Sequence, residues 1–203
     1  LWFYRADLGR IVRSVVDVST LKERGLMGWL RADDDRWLAF LVCVATVPTG
    51  LIGVTLEDTF ESLFSSVVPV TLALAFTGLL LFATRTLDET PATAALFGIG
   101  TALLIGLAQG VAITPGISRS GSTIAVALLL GLPREQAARF SFLLSIPAIL
   151  GAVVLKSRHG IPMDGVDVGA VAAGFGAAVV VGYGALTMLV ALVKKGGLYR
   201  FAF

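Results

Sequence analysis

Six apolar runs, at residues 38–56, 67–84, 93–113, 123–132, 140–155 and 168–193, limit what this chain can fold into. A helix needs about 20 apolar residues to cross the hydrocarbon core of a bilayer. Five of the runs approach or exceed that length. The run 123–132 does not: it makes about 15 Å of helix, half the core. The segment 93–132 is therefore expected to enter and leave on one face. With hydrophobic residues at 56% and charged residues at 15%, a soluble domain could not hide so much apolar surface. The expected fold class is an all-α integral membrane protein: one membrane domain over 1–203, with spans at about 38–56, 67–84, 140–155 and 168–193. A re-entrant helix–loop–helix hairpin at 93–132 completes it. Residues 1–37, which carry the run Asp33-Asp34-Asp35, read as a cytoplasmic segment, solvated or lying on the surface.

Basic residues orient the bundle. On this reading thirteen of the sixteen Lys and Arg fall on one side, seven of them in residues 1–37. Only Lys156 and Arg158 fall on the other, and Arg119 is left at the hairpin tip. Short loops rich in Lys and Arg stay in the cytoplasm. This places 1–37, 85–92 and 133–139 inside, and 57–66 and 156–167 outside. The formal charge of +2 does not point to nucleic acid, and Cys43, the only cysteine, excludes an internal disulfide. Val47-Pro48 with Gly50 and Gly53 echoes Ile146-Pro147 with Gly151, but the echo is too short to define a repeat. The opening Leu1-Trp2-Phe3-Tyr4-Arg5 reads as the end of a helix and the closing Leu198-Tyr199-Arg200-Phe201-Ala202-Phe203 as the start of one, so a longer chain is expected.

The tip reads Pro115-Gly116-Ile117-Ser118-Arg119-Ser120-Gly121-Ser122-Thr123. Pro115 disfavours helix at Thr114, and Gly116 and Gly121 permit backbone shapes closed to other residues. A new helix is expected to begin near Ser122 or Thr123, turning its unpaired N–H groups and positive dipole end to the tip. Four hydroxyls and a guanidinium join them, so every local group can donate to an anion. Phosphate binds at helix N-termini for this reason, and Arg adds a planar fork for two phosphate oxygens. The plain alternative is a capped surface turn with a snorkelling Arg119. Against it, an intramembrane Arg costs about 2.5–3.5 kcal/mol even on the lenient scale. Arg134, at the far end of the short helix, is expected to be solvated.

Residues 106–155 resemble the bacterial undecaprenyl-diphosphatase family of the bacitracin-resistance type. The resemblance rests on the tip sequence, on residues 128–131, on Ala138-Arg139-Phe140-Ser141-Phe142-Leu143-Leu144 and on Ile146-Pro147-Ala148-Ile149-Leu150-Gly151. It implies an inverted repeat whose two re-entrant hairpins meet in mid-membrane. It also implies hydrolysis of undecaprenyl diphosphate to undecaprenyl phosphate, which recycles the lipid carrier of peptidoglycan synthesis in the bacterial inner membrane. Its substrate partner would be a polyprenyl diphosphate, its cofactor a divalent cation, magnesium or calcium, with ligands left unassigned. Carried over by residue, Arg119, Ser118 and Thr123 would be the catalytic phosphate contacts. Gly116, Ser120 and Gly121 would shape the cradle. Gln109 would either face the same cavity or bond between helices.

The resemblance also marks a departure. The family's other signature is a glutamate-rich hairpin with paired serines and a histidine, which these 203 residues do not contain. No carboxylate or imidazole adjoins the tip, and His159 reads as a solvated loop residue. The chain by itself is therefore expected to be inactive. Among rivals, an acid-phosphatase-like lipid phosphatase would place a histidine where Ala125 stands. A rhomboid-like protease would need a glycine where Ser118 stands and a membrane histidine. A transporter or flippase that binds an anionic lipid at a broken helix stays open as the alternative.

Overall fold

The computed structural model describes residues 4–18, 21–87, 97–158 and 167–202; His159 and residues 93–96 of the hairpin run lie outside them. The described residues are helical, without strands. In chain order they form α1 (Arg5–Val16), α2 (Leu21–Arg31), α3 (Asp34–Thr55), α4 (Glu57–Phe64), α5 (Val67–Ala83), α6 (Ile99–Val111), α7 (Arg119–Leu129), α8 (Arg134–Arg158) and α9 (Val168–Lys194). Short 3-10 turns follow α5 at Thr84–Thr86 and α9 at Leu198–Ala202.

Four helices, α3, α5, α8 and α9, are long and apolar enough to cross a membrane, and this is a multi-pass membrane protein. Their outward faces carry large apolar side chains. On α9, Val171, Phe175, Val180 and Val181 are all exposed, a surface that is stable in lipid and untenable in water. Sequence sets the helix ends. Asp33 caps α3 by accepting from Arg36 N at 3.0 Å, and Asp167 caps α9 by accepting from Gly169 N at 2.8 Å. α7 stops at Gly131, whose φ of +83° is open to glycine; Leu132 N closes the turn on Ala127 O at 3.0 Å and Pro133 follows. That stop is why the run 123–132 gives so short a helix.

Contacts between helix ends sort the bundle into two faces. On one, Arg139 of α8 pairs with Asp7 of α1 at 2.9 Å and with Asp35 of α3 at 2.6 Å. On the same face Lys194 of α9 meets Glu135 of α8 at 2.8 Å, and Trp37 Nε1 donates to Phe97 O at 3.3 Å, just before α6. On the other face Lys156, near the end of α8, meets Glu57 and Glu61 of α4. The hairpin thus enters with α6 and leaves with α7 at the Arg139 face. Their 13 and 11 residues reach about 20 and 17 Å, short of the roughly 30 Å core.

α6 lies against α3 through Gly106 and Gly110, spaced as small residues are where helix backbones touch. A Cβ at Gly106 would overlap the Ala45 carbonyl, and one at Gly110 would meet Ile52 Cδ1 at 2.5 Å. One charged residue of the N-terminal segment, Arg36, is withdrawn from solvent. Arg36 is 4% exposed, stacks on Trp29, and donates to Ser14 O (2.9 Å), Trp29 O (2.6 Å) and Asp17 O (3.2 Å). It gathers carbonyls left open at the ends of α1 and α2, where a cation is favoured. Arg134 departs from expectation as well. It is half-buried beneath Gly196 and donates to Leu87 O at 3.1 Å, because the end of α5 and the turn after α9 close over it.

Candidate functional site

The hairpin tip is held at mid-height against α5. Gly116 adopts φ +93°, and a Cβ there would lie 2.5 Å from Val70 O, so glycine is required by both conformation and contact. Thr77 Oγ1, whose proton can go to Ala73 O at 3.0 Å or Gly116 O at 3.3 Å, accepts from Ser118 N at 3.2 Å. The helix starts earlier than the sequence suggests. Ser118, not Ser122 or Thr123, is the cap: its Oγ accepts from Gly121 N at 3.1 Å, and Arg119 is the first residue of α7. A Cβ at Gly121 would press on Ser118 Oγ at 2.8 Å, so this glycine serves the cap.

That one-turn shift reassigns the hydroxyls. Thr123 is 0% exposed, and its Oγ1 donates to Arg119 O at 2.9 Å. With its proton used there, it accepts from Ser141 Oγ of α8 at 2.5 Å. Thr123 therefore ties the first turn of α7 to α8. Ser120 is half-buried, and its carbonyl lies 3.2 Å from the same hydroxyl.

Arg119 and Gln109 line a cavity of about 820 Å³ bounded by α3, α4, α6 and α8. Ser118, Ser120, Thr123, Gly116 and Gly121 lie outside its wall. Most of the lining is apolar or small, including Gly50, Val54, Ile113, Pro147 and Ala148. The two halves of the Pro48 and Pro147 echo thus meet across one space. The Arg119 guanidinium is half-buried, and among the described residues no carboxylate lies within ion-pair distance of it. A cation so placed, on the dipole-positive end of a helix, is poised for an anion from outside the fold.

Gln109 does both things the sequence left open. Its residue is 1% exposed; Nε2 donates to Thr49 Oγ1 of α3 and to Leu144 O of α8, both at 3.4 Å, and it still faces the cavity. Its Oε1 is buried without a partner, a state that costs about 1–3 kcal/mol when left unmet.

Three charged residues on the cavity were not assigned to the site from sequence: Glu57, Glu61 and Lys156. Lys156 Nζ sits 3.5 Å from Glu57 Oε1 and bonds Glu61, joining positions 95 apart in the chain. The sequence signal for the pair is the i, i+4 spacing of the two glutamates within 57–66, which sets them on one face of a helix. As cation ligands the set does not fit. Among the described residues no three His, Cys, Asp or Glu side chains converge, both cavity carboxylates engage Lys156, and the tip presents donors.

Comparison with known proteins adds a second line. A family model described as bacitracin resistance protein BacA matches residues 1–203. The undecaprenyl-diphosphatase of Desulforapulum autotrophicum is 42% identical over 200 residues, which cover 97% of this chain and 69% of that protein. The undecaprenyl-diphosphatase of Methanothermobacter thermautotrophicus is 47% identical over 169 residues, 80% of this chain and 92% of that protein. That of Rubrobacter xylanophilus is 40% identical over 203 residues, 99% of this chain and 72% of that protein.

Proposed function

The chain belongs to the BacA family of bacitracin resistance proteins, and on that premise we propose that it hydrolyses undecaprenyl diphosphate to undecaprenyl phosphate and orthophosphate. The observation that carries the chemistry is Arg119: a guanidinium with no carboxylate in ion-pair distance among the described residues, at a helix N-terminus, in the wall of a largely apolar cavity. A polyprenyl diphosphate matches those two characters, with a charged head for Arg119 and a hydrocarbon tail that the lipid-facing helices tolerate. Phosphoryl transfer concentrates negative charge on the equatorial phosphate oxygens, and preorganised donors lower that barrier because they need no rearrangement.

In this reading Arg119 holds the terminal phosphate through its planar fork, aided by the N–H groups of the first turn of α7. Ser118 fixes where that turn begins. Thr123, through Ser141, fixes where it points. Gly116 and Gly121 let the tip lie against α5 and close its cap. Magnesium or calcium enters the proposal as a counter-ion of the diphosphate itself, since the described residues do not compose a cage for it. The cellular site proposed is the bacterial cytoplasmic membrane, where the reaction would return the lipid carrier to peptidoglycan synthesis. The test is stoichiometric: purified full-length protein in detergent micelles releases one orthophosphate per undecaprenyl phosphate formed. Movement of intact diphosphate across a bilayer, with no phosphate released, would contradict it.

A further inference from the structure

We propose that Gly50 of α3 and Gly151 of α8 keep open a slot that seats the isoprene units next to the diphosphate, so that the site selects a prenyl diphosphate over the head alone. The proposal rests on the hydrolase reading above. Both glycines line the cavity that Arg119 and Gln109 share. Neither has a positive φ, and nothing lies within 4 Å of where a Cβ would stand on either. They therefore serve neither a turn, as Gly116 does, nor a close helix contact, as Gly106 and Gly110 do. Glycine inside a helix is costly beside alanine. What it leaves here is room.

The wall around that room is apolar, and its polar groups are committed elsewhere. It follows α3 from Thr46 to Val54, about 12 Å of helix, and α8 from Pro147 to Lys156, about 14 Å. Thr46 Oγ1 donates to Val42 O at 2.7 Å, and Thr49 Oγ1 to Ala45 O (3.1 Å) or Gly106 O (2.8 Å). Glu57 and Glu61 both engage Lys156. Among the described residues, Arg119 is the charge on this wall with no carboxylate in ion-pair distance.

One such cation on a long apolar wall fits an amphiphile with a single anionic end. The cavity, at about 820 Å³, has the volume of pockets that enclose most of a drug-sized ligand, about 300–1,000 Å³, so a phosphate head does not fill it. Val54, Ile149 and Val153 line it with exposed side chains, on helices long enough to cross the membrane, which gives the rest of the chain an apolar way to the lipid. A tail held between α3 and α8 also fixes the direction from which the diphosphate meets Arg119.

The experiment uses full-length Gly50→Leu/Gly151→Leu in detergent micelles. KM for farnesyl diphosphate is expected to rise at least ~10-fold, the worth of about two buried methylenes. Methylene diphosphonate, a head without a tail, is expected to inhibit variant and parent alike. Gly174→Leu on α9, equally open at its Cβ and outside the cavity wall, is the control and is expected to change neither value. A double variant with parental KM overturns the inference. So does an equal weakening of methylene diphosphonate, which would place the glycines at the head. Labelling gives a readout that needs neither the leucines to fold nor turnover. In a Cys43→Ala background, saturating farnesyl methylene diphosphonate is expected to protect Gly151→Cys from a maleimide, whereas methylene diphosphonate and farnesol are not. Labelling at the same rate with and without the farnesyl diphosphonate overturns the inference, and so does equal protection by farnesol, because the slot would then take any lipid chain. A parent without turnover, with Gly151→Cys still protected, overturns the hydrolase reading alone.

Discussion

The hydroxyls of Thr123 on α7 and Ser141 on α8 lie 2.5 Å apart, both out of contact with water. Thr123 passes its own proton to Arg119 O, so the pair joins α8 to the residue that would meet the substrate. Thr123→Val keeps the shape and strands Ser141 Oγ, and a stability loss of about 1–3 kcal/mol is expected from that orphaned group. Adding Ser141→Ala removes the orphan and is expected to recover part of the loss. Thermal unfolding in detergent measures both. Turnover is expected to fall only modestly, and a loss of about 100-fold at unchanged stability, the size seen when a transition-state donor is removed, would restore Thr123 as a phosphate contact.

Close packing of the hairpin gives a second expectation. Gly106→Ala places a methyl into the Ala45 backbone, which cannot move aside as a side-chain tip can. Overpacking of this kind costs about 1–3 kcal/mol. Gly50→Ala is the matched control, because nothing lies within 4 Å of a Cβ there. Unfolding temperatures are expected to separate the two, and equal values would mean that α6 does not rest on α3 through Gly106.

Topology can be read by labelling. Cys43 is exposed on α3 and is first replaced by Ala. In that background Ser62→Cys on α4 is expected to react with an impermeant maleimide added outside intact cells, and Gln136→Cys on α8 only after permeabilisation. Outside labelling of Gln136→Cys would place both arms of the hairpin at the wrong face.

The proposed counter-ion is tested by chelation. Excess EDTA is expected to stop phosphate release, and magnesium or calcium to restore it. Full activity in EDTA would remove the cation from the proposal.

Much of this was legible in the sequence because lipid imposes simple rules. Runs near 20 residues became α3, α5, α8 and α9, and the ten-residue run became a short helix ended by Gly131. Arg119 stood out because a guanidinium between apolar runs needs a reason. What was not legible depended on contacts between distant residues. Ser118 rather than Ser122 caps α7 because Thr77, 41 positions earlier, receives its backbone N–H. Once the helix starts there, Thr123 turns inward to Ser141, and no local pattern encodes that meeting. Glu57, Glu61 and Lys156 share a cavity with Arg119 only because α4 folds back across the end of α8.

The central claim is that the Arg119 fork holds the diphosphate, and exchanging the fork for a point charge tests it most directly. In full-length protein, Arg119→Lys keeps the charge and loses bidentate geometry. Phosphate release from undecaprenyl diphosphate is expected to fall at least ~100-fold, as when a donor is removed from a preorganised site. Arg13→Lys, on the exposed face of α1, is the control and is expected to leave turnover unchanged. Arg134 would not serve as a control, because its bond to Leu87 O makes that arginine structural. An Arg119→Lys variant with near-parental phosphate release would contradict the account.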